Sequence, residues 1–113
     1  MSSPEAVGPE GGAAPLFAAL GDPTRLSILA RLGDGRTCSI SALSADTALT
    51  RQAVTKHLHV LEGVGLVGSL RVGRETRFRM RPEPIAAARA YLDGVSRQWD
   101  EALARLRALV EDG

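Results

Sequence analysis

The spacing of apolar positions changes along the chain, and each change marks an element. Over residues 13–20, Leu16, Phe17 and Leu20 recur at helical spacing, and Gly21 ends the run. Asp22-Pro23 opens a second helix. Asp is a good N-cap, and Pro lacks the N–H that the first helical position leaves unpaired anyway. Leu26, Leu29 and Leu32 point one stripe of this helix at the core, and Gly33-Asp34-Gly35 closes it. An extended piece around Thr37 and Cys38 leads to a third helix over residues 40–45 and a turn over residues 46–49.

Thr50 caps the next helix, Arg51–Gly63. Val54, Leu58 and Leu61 form its buried face, while Arg51, Gln52, Thr55, Lys56 and His59 make the other side polar and basic. Gly65 ends it. Residues 67–72 read as a strand, Gly73-Arg74 as a two-residue type II′ hairpin loop, and residues 75–81 as the return strand. Alternation sends Thr76, Phe78 and Met80 one way and Arg77, Arg79 and Arg81 the other. Pro82-Glu83-Pro84 breaks the chain, and residues 85–111 form one long helix. Leu92, Val95, Trp99, Leu103, Leu106 and Val110 give it a continuous apolar seam, too long for so small a core to cover, so a second chain is expected there.

Charge sharpens this picture more than composition does. The net charge of +1 hides three blocks. Residues 1–50 carry −2 and residues 82–113 carry −2, but residues 51–81 carry +5 from Arg51, Lys56, Arg71, Arg74, Arg77, Arg79 and Arg81 against Glu62 and Glu75. A local basic field holds phosphates whatever the total. The length of 113 residues fits one domain over residues 13–113, preceded by a disordered Ser-, Pro-, Gly- and Glu-rich tail over residues 1–12. One Cys excludes an intrachain disulfide and fits a reducing cytoplasm. No apolar run has the ~20 residues of a membrane span, and the start lacks the basic and apolar regions of a signal peptide. Aromatics at 4% are too few for single-strand stacking platforms. An enzyme is not expected: there is no Gly-rich phosphate loop, no carboxylate pair in a plausible cleft and no Cys/His spacing of a nucleophile and base.

Two short helices about a turn, followed by a basic hairpin, constitute a winged helix-turn-helix: mainly α, ordered α-α-α-α-hairpin-α. A helix fits the major groove, and hairpin arginines neutralise phosphates. At the residue level the chain resembles the ArsR/SmtB family of bacterial repressors. Leu20-Gly21-Asp22-Pro23-Thr24-Arg25-Leu26, with Ile28 and Leu29, is similar to that family's opening. The run from Thr50 to Leu58, then Leu61-Glu62 and Gly65-Leu66-Val67, resembles its recognition helix and wing entry, and Gly73-Arg74 with Phe78 its hairpin. The resemblance implies a homodimer paired through first and last helices, bound to a palindromic operator in double-stranded DNA, often in its own promoter, and released by an effector. Metal-sensing members carry a Cys-x-Cys pair before the recognition helix, or His and acidic ligands on the last helix. Here residues 39–46 hold neither Cys nor His, and residues 85–113 hold no His, so no metal or other cofactor is expected.

The expected DNA contacts are therefore Arg51, Gln52, Thr55, Lys56, His59, Arg71, Arg74 and Arg77. Gln52 and Thr55 suit base edges, since Gln pairs bidentately with adenine and Thr meets a thymine methyl. Arg51 and Lys56 suit phosphate. Against this stands a plain solvated helix face and, for Arg79 and Arg81 above all, a charged strand edge that discourages aggregation. The expected dimer contacts are Leu16, Phe17, Leu92, Val95, Trp99, Leu103 and Leu106. His57 fits a hydrogen-bonded structural role better than a metal or pH role. Cys38 fits a small half-buried apolar role better than a reactive one, with only Arg36 near in sequence. The release signal stays open between a small organic molecule, a redox change at Cys38 and protein concentration alone. The alternative to a repressor is a winged-helix protein-interaction module without site-specific DNA binding, its basic face meeting an acidic protein.

Overall fold

A computed structural model describes residues 13–33 and 35–112; the tail expected over residues 1–12 lies outside them. Among the described residues the element order is α1 (Ala13–Leu20), α2 (Pro23–Arg31), β1 (Thr37–Ser39), α3 (Ile40–Thr47), α4 (Arg51–Gly63), β2 (Val67–Val72), β3 (Glu75–Met80) and α5 (Glu83–Asp112). The fold is the expected winged helix-turn-helix, and local chemistry explains most of its boundaries. The Asp22 carboxylate accepts from the Arg25 backbone N–H at 2.9 Å, capping α2. Ser39 caps α3 and Thr50 caps α4 in the same way, accepting from the backbones of Ala42 at 3.1 Å and Ala53 at 3.0 Å. Helix α4 ends in a Schellman motif. Gly65 takes φ +79°, its N–H donates to the Glu62 carbonyl, and the Leu66 N–H donates to that of Leu61 at 2.9 Å.

Three boundaries differ from expectation. Helix α3 runs on to Thr47 instead of ending near residue 45, with the Thr47 hydroxyl bonded back to the Leu43 carbonyl at 2.6 Å. The turn then needs a left-handed residue, and Ala48 supplies it at φ +59°. Helix α5 starts at Glu83, before the second proline of the expected break. A proline in the first turn removes no intrahelical bond, so Pro84 begins the helix instead of blocking it. Strand β3 ends at Met80, one residue short of the expected end.

The hairpin is part of a three-stranded antiparallel sheet of order β1-β3-β2. The extended piece at Thr37 and Cys38 is its third strand, pairing Thr37 with Arg79 and Cys38 with Phe78. In the hairpin Val67 pairs with Met80 and Val72 with Glu75, and Gly73 at the tip takes φ +64°. One core joins all these elements: Leu16, Ala19, Ile28, Leu29, Leu32, Leu43, Val54, Leu58, Leu61, Leu66, Val67, Phe78 and Ala88.

Two apolar positions depart from their expected places. Leu26 was expected in the core but is 49% exposed, because α2 packs through Ile28, Leu29 and Leu32. At about 100° per residue, Leu26 lies roughly 60° beyond that stripe. Leu16, expected at a subunit interface, is 1% exposed within its own chain, so it belongs to the protomer core. The neighbouring Phe17 is half-buried, with its ring 5.9 Å from that of Tyr91 on α5. Beyond that contact α5 leaves the core, and the molecule measures 69 × 33 × 22 Å along its principal axes. Among the described residues no helix is long and apolar enough to cross a membrane.

Candidate nucleic-acid interface

Helix α4 presents two faces of opposite chemistry. Val54, Leu58 and Leu61 are sealed in the core, while Arg51, Gln52, Lys56 and His59 are exposed and Thr55 is half-buried. The Thr50 cap and the α3 contact hold the first turn of α4, the part of a recognition helix that reaches base edges. Two of the polar side chains have partners within the protomer. The Arg51 guanidinium donates to the Ser41 hydroxyl on α3. The Thr55 hydroxyl donates to the Arg51 carbonyl at 2.8 Å. Its proton is thus committed to the helix, leaving a methyl group and oxygen lone pairs to present outward.

The wing arginines divide into two kinds. Arg71, Arg74, Arg79 and Arg81 are exposed, and Arg74 sits in the tip beside Gly73. Arg81 lies 4.0 Å from the Glu83 carboxylate across the start of α5. Arg77 is different. It is half-buried, and its Nε donates to the Thr37 hydroxyl and its Nη2 to the Thr37 carbonyl, both at 2.9 Å. Its Nη1 donates to Glu75 Oε1 at 2.8 Å. Arg77 therefore fastens β1 to β3, an engagement that its place among the wing cations in the sequence did not reveal. The signal was Glu75, two residues earlier on the same strand face. The role of Thr37 had none, because it depends on the pairing of β1 with β3.

His57 is half-buried, with Nδ1 3.4 Å from Nη1 of Arg25. Asp22, which caps α2, lies in the same neighbourhood. The Arg25 backbone N–H it accepts, together with the charge of Arg25, holds its carboxyl below the usual value of 3.8, outweighing its partial desolvation. Cys38 is half-buried, its sulfur 3.9 Å from the Arg31 carbonyl. Among the described residues no three His, Cys, Asp or Glu side chains gather as metal ligands would. On the expected dimer surface, Val95 is half-buried, whereas Leu92, Trp99, Leu103 and Leu106 are 51–63% exposed.

Known proteins share this arrangement. A family model described as a helix-turn-helix domain matches residues 20–68, from the end of α1 to the first residues of β2. The HTH-type transcriptional regulator CmtR of Mycobacterium tuberculosis is 42% identical over 79 residues, a match spanning 70% of this chain and 66% of the regulator. Less than two thirds of that relative's length is therefore matched. The solved structure of an ArsR-like transcriptional regulator from Rhodococcus superposes with a TM-score of 0.84 at 38% identity, over 88% of this chain and 91% of that one. A homodimeric winged helix-turn-helix DNA-binding domain from Mycobacterium bovis, a possible ArsR-family regulator, has a TM-score of 0.60 at 26% identity, covering 75% and 78%. On this superposition and these identities, the chain belongs to the ArsR family of winged helix-turn-helix transcriptional regulators.

Proposed function

We propose that this protein is a homodimeric, sequence-specific DNA-binding repressor, acting in the cytoplasm by occupying a promoter and not by catalysing a reaction. The observation that carries the reading is the division of α4: an apolar face at most 1% exposed, and an opposite face of exposed Arg51, Gln52, Lys56 and His59. The buried face holds the helix rigid, and the other offers donors and acceptors for base edges and phosphates. Arg71 and Arg74 extend the positive surface onto the wing, with Arg77 bracing it. Residues 13–113 then form one DNA-binding and dimerisation unit, paired through the exposed seam of α5 and through Phe17 of α1. Two α4 helices in a two-fold dimer address half-sites about 34 Å apart, hence a palindromic operator.

The homodimeric state of the M. bovis domain supports pairing. The release signal is other than a metal, since the chain's Cys38, His57 and His59 are too few and too scattered for a thiolate–imidazole site.

Fluorescence anisotropy with DNA from the protein's own upstream region and a random duplex, at two salt concentrations, tests the reading. Preferential binding to the upstream DNA is expected. Gln52→Ala is expected to cost about 1–3 kcal/mol at one base position and leave random-duplex binding unchanged. Equal binding of the wild type to operator-sized fragments from the whole genome and to random DNA would defeat the proposal.

A further inference from the structure

One side chain joins the recognition helix to the α1–α5 end of the protomer through polar bonds. Arg25, in the first turn of α2, spreads its guanidinium over two other helices. Nε donates to the Ala19 carbonyl at 2.8 Å and Nη2 to the Ala18 carbonyl at 3.3 Å. These carbonyls belong to the last turn of α1, where helical partners run out. Nη1 reaches His57 Nδ1, at 3.4 Å, in the middle of α4. A guanidinium cannot accept a bond, so the imidazole accepts at Nδ1 and carries its proton on Nε2. Asp22 steadies the base of the arm, taking the Arg25 backbone N–H at 2.9 Å. On its far side α1 meets α5, through the Phe17 and Tyr91 rings.

A continuous set of contacts therefore runs from α5 through α1 and Arg25 to α4. His57 adjoins Lys56 and lies two residues from Thr55, so whatever fixes its ring fixes the first turns of α4. A group that only capped α1 would need the Ala18 and Ala19 bonds alone; the third arm reaches across to the helix that faces DNA. We propose that Arg25 is a positioning residue for DNA reading: its bond to His57 sets how α4 sits on the α1–α5 scaffold, and thereby which base edges Gln52 and Thr55 meet. The proposal rests on the reading that α4 enters DNA.

The test uses the full chain, a duplex that the wild type enriches from a random-sequence pool, and an unselected duplex. His57→Leu removes the acceptor. His57→Asn keeps one, because its carboxamide oxygen stands the same number of bonds from Cβ as Nδ1. His57→Leu and Arg25→Gln are each expected to weaken the selected duplex about tenfold, with no further loss when combined, as for two halves of one contact. Binding to the unselected duplex is expected to stay within about twofold, since phosphate contacts carry it. His57→Asn is expected to recover most of the selected affinity. In the wild type the imidazole 15N spectrum should show an unprotonated Nδ1 whose shift moves in Arg25→Gln. If Arg25→Gln does not fold, the two His57 variants carry the test.

Wild-type affinity for the selected duplex in folded His57→Leu overturns the proposal. So does a loss shared equally by both duplexes and not rescued by His57→Asn. If the wild type enriches no duplex at all, the DNA-reading itself falls, and the positioning role with it.

Discussion

Helix α4 and the distal half of α5 carry the same apolar period and meet opposite surroundings. Val54, Leu58 and Leu61 recur at spacings of four and three and are at most 1% exposed. Trp99, Leu103, Leu106 and Val110 recur at four, three and four, yet are 52–73% exposed. The difference lies in what stands opposite. Helix α4 faces Ile28, Leu29, Leu43 and Leu66 in a single core, whereas α5 projects past Tyr91 and leaves that core behind. Periodicity thus states that a helix has an apolar side; it does not state whose side chains cover it. Soluble monomers rarely leave so continuous an apolar surface to water, which is the physical case for a second copy against α5.

Mutations that separate the two regions show the contrast most directly. Leu58→Ala opens a cavity in a closed core and is expected to cost about 2–5 kcal/mol, read by urea denaturation at any protein concentration. Leu103→Ala on a dilute monomer is expected to change stability by no more than about 0.5 kcal/mol. A large, concentration-independent loss in Leu103→Ala would erase the distinction.

Trp99→Ala comes next. As the largest aromatic on the exposed seam, Trp99 is the expected anchor of self-association, and its truncation should weaken pairing by about 2 kcal/mol or more, roughly thirtyfold. Sedimentation equilibrium reads this, and an unchanged monomer–dimer balance would show that the seam is covered by something else. The wing offers a smaller effect. Arg74→Ala should lower the slope of log affinity against log salt by about one. Arg77→Ala should instead reduce thermal stability, through the loss of its Thr37 and Glu75 bonds. Equal slopes for wild type and Arg74→Ala would remove Arg74 from the proposed DNA contacts.

The smallest effect concerns the α2 cap. The Asp22 carboxyl is held below its ordinary value of 3.8, chiefly by the Arg25 backbone N–H. A depressed folded-state pKa contributes stability that is fully present above the unfolded value and lost as pH falls through the folded one. Asp22→Ala should therefore melt below the wild type at neutral pH, and the gap should close as pH drops below the ordinary carboxyl range. A gap that persists undiminished at pH 2 would show that the charge of Asp22 does not contribute to it.

Most of the architecture was readable from local chemistry. Asp22-Pro23, Thr50 and Gly73-Arg74 each specify a cap or turn through their own side chains or backbone freedom, and the elements beside them begin or end where expected. The errors share a cause. Leu26 and Leu16 were misplaced because an apolar residue at helical spacing does not show which neighbour it meets. The extended piece at Thr37 and Cys38 was expected, but its pairing with β3, and Arg77 as its clasp, join segments forty residues apart, which no local signal encodes. For the candidate interface, the polar face of α4 was apparent from spacing alone. The Arg25–His57 contact was not, since it joins two helices through the ends of long side chains.

The place of β3 between β1 and β2 has a mechanical consequence. Because β1 passes directly into α3 and β2 follows α4 after a single turn, the wing is tied to the α3–α4 pair at both edges, with Arg77 as a rivet. On the proposed reading of DNA, α4 and the hairpin are the fixed jaws of one caliper. Under the proposed function, a signal that frees DNA would have little room to fold the wing away. In the proposed dimer its leverage would lie in turning whole protomers against each other, changing the gap between two calipers and leaving each one's shape intact.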